Sequence, residues 1–92
     1  MGLDFEWDPD KAERNRRKHR VTFEEAATVF ADPWSLTIDD PDHSEGEERC
    51  ITVGRSERSR VLVVVHTDRD DRIRIISARK ATRGERNEYE ES

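Results

Sequence analysis

The chain has little with which to cross-link itself, hold a metal or enter a membrane. Its single cysteine, Cys50, has no partner for an internal disulfide, and one cysteine with three histidines forms neither a CxxC nor an HxxxH pair, so neither a metal nor another cofactor is expected. No apolar run approaches the roughly 20 residues that span a bilayer. The opening MGLDFEWDPDK lacks the basic stretch and apolar run of a signal peptide, and Glu6 stands where a myristoylation motif wants Ser or Thr; a cytoplasmic protein is the simple reading. Hydrophobic residues are scarce too, at 32% against 42% charged. With 92 residues, that composition implies one domain, residues 1–92, with a thin core that gains from a partner's support.

The net charge of −5 argues against nucleic acid until its distribution is considered. Residues 1–10 carry four acids and no base, whereas residues 11–20 carry six bases and one acid. Residues 39–48 carry six acids and no base, and residues 49–86 carry eleven bases and five acids, a local +6. A basic surface is therefore compatible with an acidic total. The competing explanation is that the charges only solvate the surface.

What apolar character exists is concentrated in Val61 to Ala81, VLVVVHTDRDDRIRIISARKA. Val61–Val65 is an unbroken aliphatic run, and Ile73, Ile75 and Ile76 continue it beyond the Asp68-Arg69-Asp70-Asp71 turn, which predicts a hairpin at the sheet centre. This hairpin also argues against disorder. Upstream, Asp4 to Trp7 reads as an edge strand, and Asp8-Pro9 opens a helix to His19 that has almost no apolar stripe. Ala12, Asn15 and His19 form its least charged face; Arg14, Arg16, Arg17, Lys18 and Arg20 crowd its end, where cations also suit the helix dipole. Thr22-Phe23-Glu24-Glu25 is a capping box, and Phe23, Ala26, Ala27 and Phe30 mark a core-facing helix. Strands are predicted at Ser35–Asp39 and Arg49–Arg55, separated by an acidic loop containing a solvated His43. Thr82-Arg83-Gly84-Glu85 is a second capping box, starting a last helix whose only large apolar contact is Tyr89.

Three separated blocks carry a family resemblance. HTDRDDRIRIISARKATRGERNEYEE resembles the C-terminal signature of the BrnT toxins of bacterial type II toxin–antitoxin systems, FEWDPDKAERNRRKHRVTFEEAATVFADP is similar to that family's opening, and GEERCITVGR to its middle. The resemblance implies a RelE-like fold, metal-independent RNA cleavage and a ribbon-helix-helix antitoxin, BrnA, through which alone operator DNA would be reached. It also implies glycine where this chain has Arg20, which puts the turn after the first helix in question.

Register locates a site. Opposing Asp68 with Asp71 sets His66 against Ile73 and Val65 against Arg74; opposing Ser56 with Ser59 sets Arg49 against His66 and Cys50 against Val65. Arg49, Ile51, Val53, Leu62, Val64, His66, Ile73 and Ile75 then pack on the helices. Cys50, Thr52, Val61, Val63, Val65, Thr67, Arg72, Arg74, Ile76 and Ala78 form the open face. Arg79 lies about 20 Å along the strand from the neighbour of His66. Two clusters follow, His66 with Arg49, and Arg74 with Arg79 and Lys80.

Metal-free RNA cleavage needs the 2′-hydroxyl deprotonated, the phosphorane charge stabilised and the 5′-oxygen protonated. Arginine suits only the second role, because a guanidinium stays protonated and presents a planar fork to phosphate. Arg74 and Arg79 are the candidates for it, with Arg49 and His66 beside them; His66 is the best titratable group, ahead of Glu47, Glu48, Tyr89 and Lys80. Lys18, Lys80 and Arg83 are candidate RNA contacts. The expected fold is α+β, a small, mainly antiparallel sheet with two N-terminal helices and one C-terminal helix. The expected function is a ribonuclease toxin; the alternative is a non-catalytic module that binds protein or nucleic acid.

Overall fold

In the computed structural model, which describes residues 3–40 and 48–92, the order is β1 (Asp4–Glu6), α1 (Pro9–His19), α2 (Phe23–Thr28), a 3₁₀ turn (Val29–Ala31), β2 (Leu36–Asp39), β3 (Cys50–Arg55), β4 (Val61–Arg69), β5 (Arg72–Lys80) and α3 (Arg83–Glu91). His43 and Glu47 of the acidic loop lie outside the described residues. The five strands form one sheet in the order β1-β5-β4-β3-β2, antiparallel except where β1 runs parallel to β5. The aliphatic β4 is therefore central.

The helix starts follow their local chemistry. Asp8 accepts from the Asp10 amide with Pro9 in the first turn, and Thr82 and Glu85 complete a reciprocal capping box. At α2 only half of the expected box forms: Thr22 Oγ1 accepts from the Glu25 amide, but the Glu25 carboxylate is taken by Ser56 and Arg60. Arg20 ends α1 in the left-handed region, φ 59°, and its amide donates to the Arg16 carbonyl. The turn is thus the one glycine would favour, made by an arginine.

α1, α2 and the 3₁₀ turn cover one face of the sheet. Val21, Phe23, Ala26 and Val29 pack against Leu62, Val64, Ile75 and Ala78. Each fully buried Val, Leu, Ile or Phe contributes roughly 1.5–3 kcal/mol. Lacking an apolar stripe, α1 is attached by a polar side chain: the buried Asn15 amide donates to the Val21 and Ala78 carbonyls, and its oxygen accepts from the Ala78 amide. Asn15 thereby satisfies backbone groups of β5 that would otherwise be buried unpaired.

Three registers differ from the sequence expectation. Ser59 adopts φ 62° in a five-residue β3–β4 loop, Ser56–Arg60, so Arg55 pairs with Val61 and the ladder moves by one residue. Thr52 and Gly54, rather than Ile51 and Val53, consequently face the helices. Gly54 suits this place because a β-carbon there would come within 2.8 Å of Val29 Cγ1. The β4–β5 turn is the pair Asp70-Asp71 with Arg69 opposite Arg72, which sets His66 against Ile75 and Thr67 against Arg74. Finally, a bulge at Val65/His66 inserts Ile76 as an extra residue, so that Ala78 turns to the core and Arg79 away from it.

Candidate functional site

Alternation and the bulge divide the candidate residues between the two faces. On the helix-covered face, His66 is only 2% exposed and meets Phe30 edge to face, ring centroids 4.9 Å apart. Its Nε2 lies 2.8 Å from Thr52 Oγ1, which lies 2.7 Å from Thr37 Oγ1, and its Nδ1 lies 3.0 Å from Asp68 Oδ1. Burial depresses the imidazole pKa and Asp68 opposes that shift only in part. The ring is a hydrogen-bonded core group at neutral pH. Cys50, paired with His66, is half-buried, and burial, with Asp68, Asp39 and Glu48 nearby, pushes its thiol pKa up.

The outer face carries the arginines. Thr67 pairs with Arg74, which pairs in turn with Glu6 of β1, and Val63 pairs with Arg79. Arg49 directly precedes Cys50, so alternation brings it to the outer face on the rung of Thr67. The expected pairing of Arg49 with His66 is thus corrected: the sheet separates them. Arg74 Nη1 is 3.3 Å from Glu6 Oε2, and Arg79 forms a two-pronged pair with Glu85 at 2.8 and 2.9 Å. The Arg79 hydrogen bonds hold the Glu85 pKa down to about 2. Both arginine side chains remain partly open, 35% and 41% exposed. Between them and the free edge of β2 the face is apolar, with Leu36 and Ile38 exposed beside Val53 and Ile51.

The candidate RNA contacts are scattered. Lys18 is exposed on α1, the helix that Asn15 fastens to Ala78 on the other face, so it does not join the arginines. Lys80 lines a cleft between the β3–β4 loop and α3 with Arg55, Arg60, Arg86 and Glu90, next in sequence to Arg79. Arg83 is exposed at the start of α3. The last helix is fastened more firmly than its one apolar residue implies. Tyr89 donates to Asp32, which also accepts from the Arg55 amide, and Arg55 lies over the Tyr89 ring and pairs with Glu90. Burial, then the hydrogen bond to Asp32, raises the Tyr89 pKa, which leaves the phenol a donor.

Reasoning from sequence missed the counter-ions Glu6 and Glu85 and the importance of Thr67. Glu85 was visible only as a capping residue; Glu6 required the parallel pairing of β1 with β5, for which no local signal exists. Among the described residues no group of three His, Cys, Asp or Glu side chains is arranged to hold a metal ion, and no helix is long and apolar enough to cross a membrane.

A family model described as "Ribonuclease toxin, BrnT, of type II toxin-antitoxin system" matches residues 7–85. The crystal structure of the Brucella abortus ribonuclease toxin BrnT has a similar fold, with a TM-score of 0.65 over 89% of this chain and 100% of that chain, at 18% identity. No curated protein matches the sequence.

Proposed function

Because this chain belongs to the BrnT family of ribonuclease toxins of type II toxin–antitoxin systems, we propose that it cleaves RNA on the outer face of its sheet without a metal ion, in the cytoplasm, and is silenced by a BrnA-type ribbon-helix-helix antitoxin. The observation that carries this reading is the placement of Arg49, Arg74 and Arg79 on the face that α1 and α2 leave uncovered. Guanidiniums there bind the backbone phosphate and take up the negative charge of the phosphorane, a role that needs no titration and no metal. Lys80, in the cleft beside α3, and Arg83, at the start of α3, supply further RNA contacts, while Lys18 serves contacts on the other side. His66 acts through the fold by holding β2, β3 and β4 together, and reaches no substrate. The fold relationship is RelE-like, and loss of RNA stops translation. Operator DNA is contacted only through the antitoxin.

One observation favours a second reading, a non-catalytic binding module: Arg74 and Arg79 each already have a carboxylate partner. Induced expression separates the two. The ribonuclease reading predicts growth arrest that co-expressed antitoxin relieves and that an Arg74→Ala, Arg79→Ala double variant, folded by circular dichroism, no longer causes. Equal arrest by the double variant contradicts it.

A further inference from the structure

Among the described residues, two side-chain polar atoms are buried without a hydrogen-bond partner, Thr67 Oγ1 and Arg49 Nε. Folding loses stability for each such atom, so an unsatisfied donor in a folded chain calls for a physical account. These two are not scattered. Cys50 pairs with His66, so Arg49, one residue earlier, shares the next rung with Thr67, and Thr67 pairs with Arg74. A hydroxyl is thereby flanked by two guanidiniums on the outer face. Arg74 engages Glu6 through Nη1, which leaves further N–H donors on the same fork.

We infer that this rung is the phosphate subsite of the ribonuclease reading given above, on which the inference rests. A backbone phosphodiester of single-stranded RNA takes charge-assisted bonds from Arg49 and Arg74 and a third hydrogen bond from the Thr67 hydroxyl. Both orphan groups are donors, and a tetrahedral oxyanion supplies the acceptors they lack. Thr67 is 1% exposed, so the Arg49 side chain swings outward with the phosphate as it binds. Arg49 stands one residue before β3, at the end of this ladder. Thr67 is then a binding residue whose hydroxyl is kept unsatisfied at the expense of stability, as buried functional groups often are.

That exchange makes the test sharp. Valine nearly matches threonine in shape and removes the unsatisfied hydroxyl, so Thr67→Val should melt at the same temperature as the wild type or higher. It should nevertheless bind single-stranded 2′-O-methyl RNA about tenfold more weakly, with a raised KM on cleavable RNA, while Thr67→Ser keeps both binding and cleavage. Wild-type binding by Thr67→Val, or no binding by the wild type itself, overturns the subsite whether or not the chain cuts RNA. A wild type that binds through Thr67 but cuts nothing refutes the ribonuclease reading alone. If Thr67→Val melts lower, Thr67→Ser against Thr67→Ala decides: serine binding more tightly supports the subsite, and equal binding overturns it.

Discussion

At the scale of single residues, polar side chains do work that the apolar composition cannot. Asn15 fastens a helix that has no apolar stripe, and Glu25, 4% exposed, ties α2 to the β3–β4 loop through Ser56 and Arg60. His66 belongs with them. Because it hydrogen-bonds Thr52 and Asp68 behind the sheet, His66→Gln should lose stability, on the order of 1–3 kcal/mol in denaturant melts, yet keep its RNA cleavage wherever it stays folded. Abolished cleavage in a folded variant would return His66 to the chemistry. Arg20 supplies a test of opposite sign. Its φ of 59° is strained for any residue with a β-carbon, so Arg20→Gly should stabilise the chain by about 0.5–1 kcal/mol, provided that loss of its side chain removes nothing else. A lower melting midpoint would show that the Arg20 side chain contributes more than its backbone costs. The family resemblance marked the cap at Arg20 as an anomaly, but Ala78 lies 63 residues from Asn15 and Ser56 lies 31 from Glu25, and neither pairing carries a local signature.

At the scale of elements, the starts and order were legible because capping is local: Asp8-Pro9, Thr22 and Thr82 each act on amides two or three residues away. The pairing of strands was not. One left-handed residue, Ser59, lengthened a loop and moved β3 by one position, which exchanged its two faces; a bulge did the same to the end of β5. Arg74 and Arg79 were therefore readable as one cluster on an open face, but Arg49 was not readable as part of it, because the expected register sets it against His66. The ion pairs that hold these elements also set their acid sensitivity. Arg60 keeps the Glu25 pKa below the ordinary 4.5, and Arg79 keeps that of Glu85 at about 2, so each is lower in the folded chain than in the unfolded one. The stabilisation from each is fully present above pH 4.5 and is lost as pH falls through the lowered pKa, which for Glu85 is about 2. The depressed pKa of His66 acts in the same direction, beginning below its ordinary 6.5. Thermal melts should show the midpoint falling through this range, with a shallower fall in Glu85→Gln between pH 4.5 and 2; equal slopes would mean that the Arg79 pair does not anchor α3.

At the scale of the whole molecule, an acidic chain of net charge −5 gathers arginines on one side of a thin sheet. α1 and α2 lie on the opposite face, which leaves Leu36 and Ile38 exposed along β2 at the sheet edge, beside the basic rows. In the function proposed above, such a surface would serve two ligands in turn, RNA through charge and a protein antitoxin through charge and apolar contact together. Binding only to the folded form, the antitoxin would also raise the stability of a chain with so small a core. The central claim is that the outer-face arginines alone supply the electrostatic part of RNA cleavage. Incubating purified protein with single-stranded RNA and the matching DNA in excess EDTA tests it most directly. The account predicts that the RNA is cut, the DNA is untouched, and a folded Arg74→Ala, Arg79→Ala double variant is at least about a hundredfold slower; cleavage that requires added magnesium, or that survives in the double variant, would contradict it.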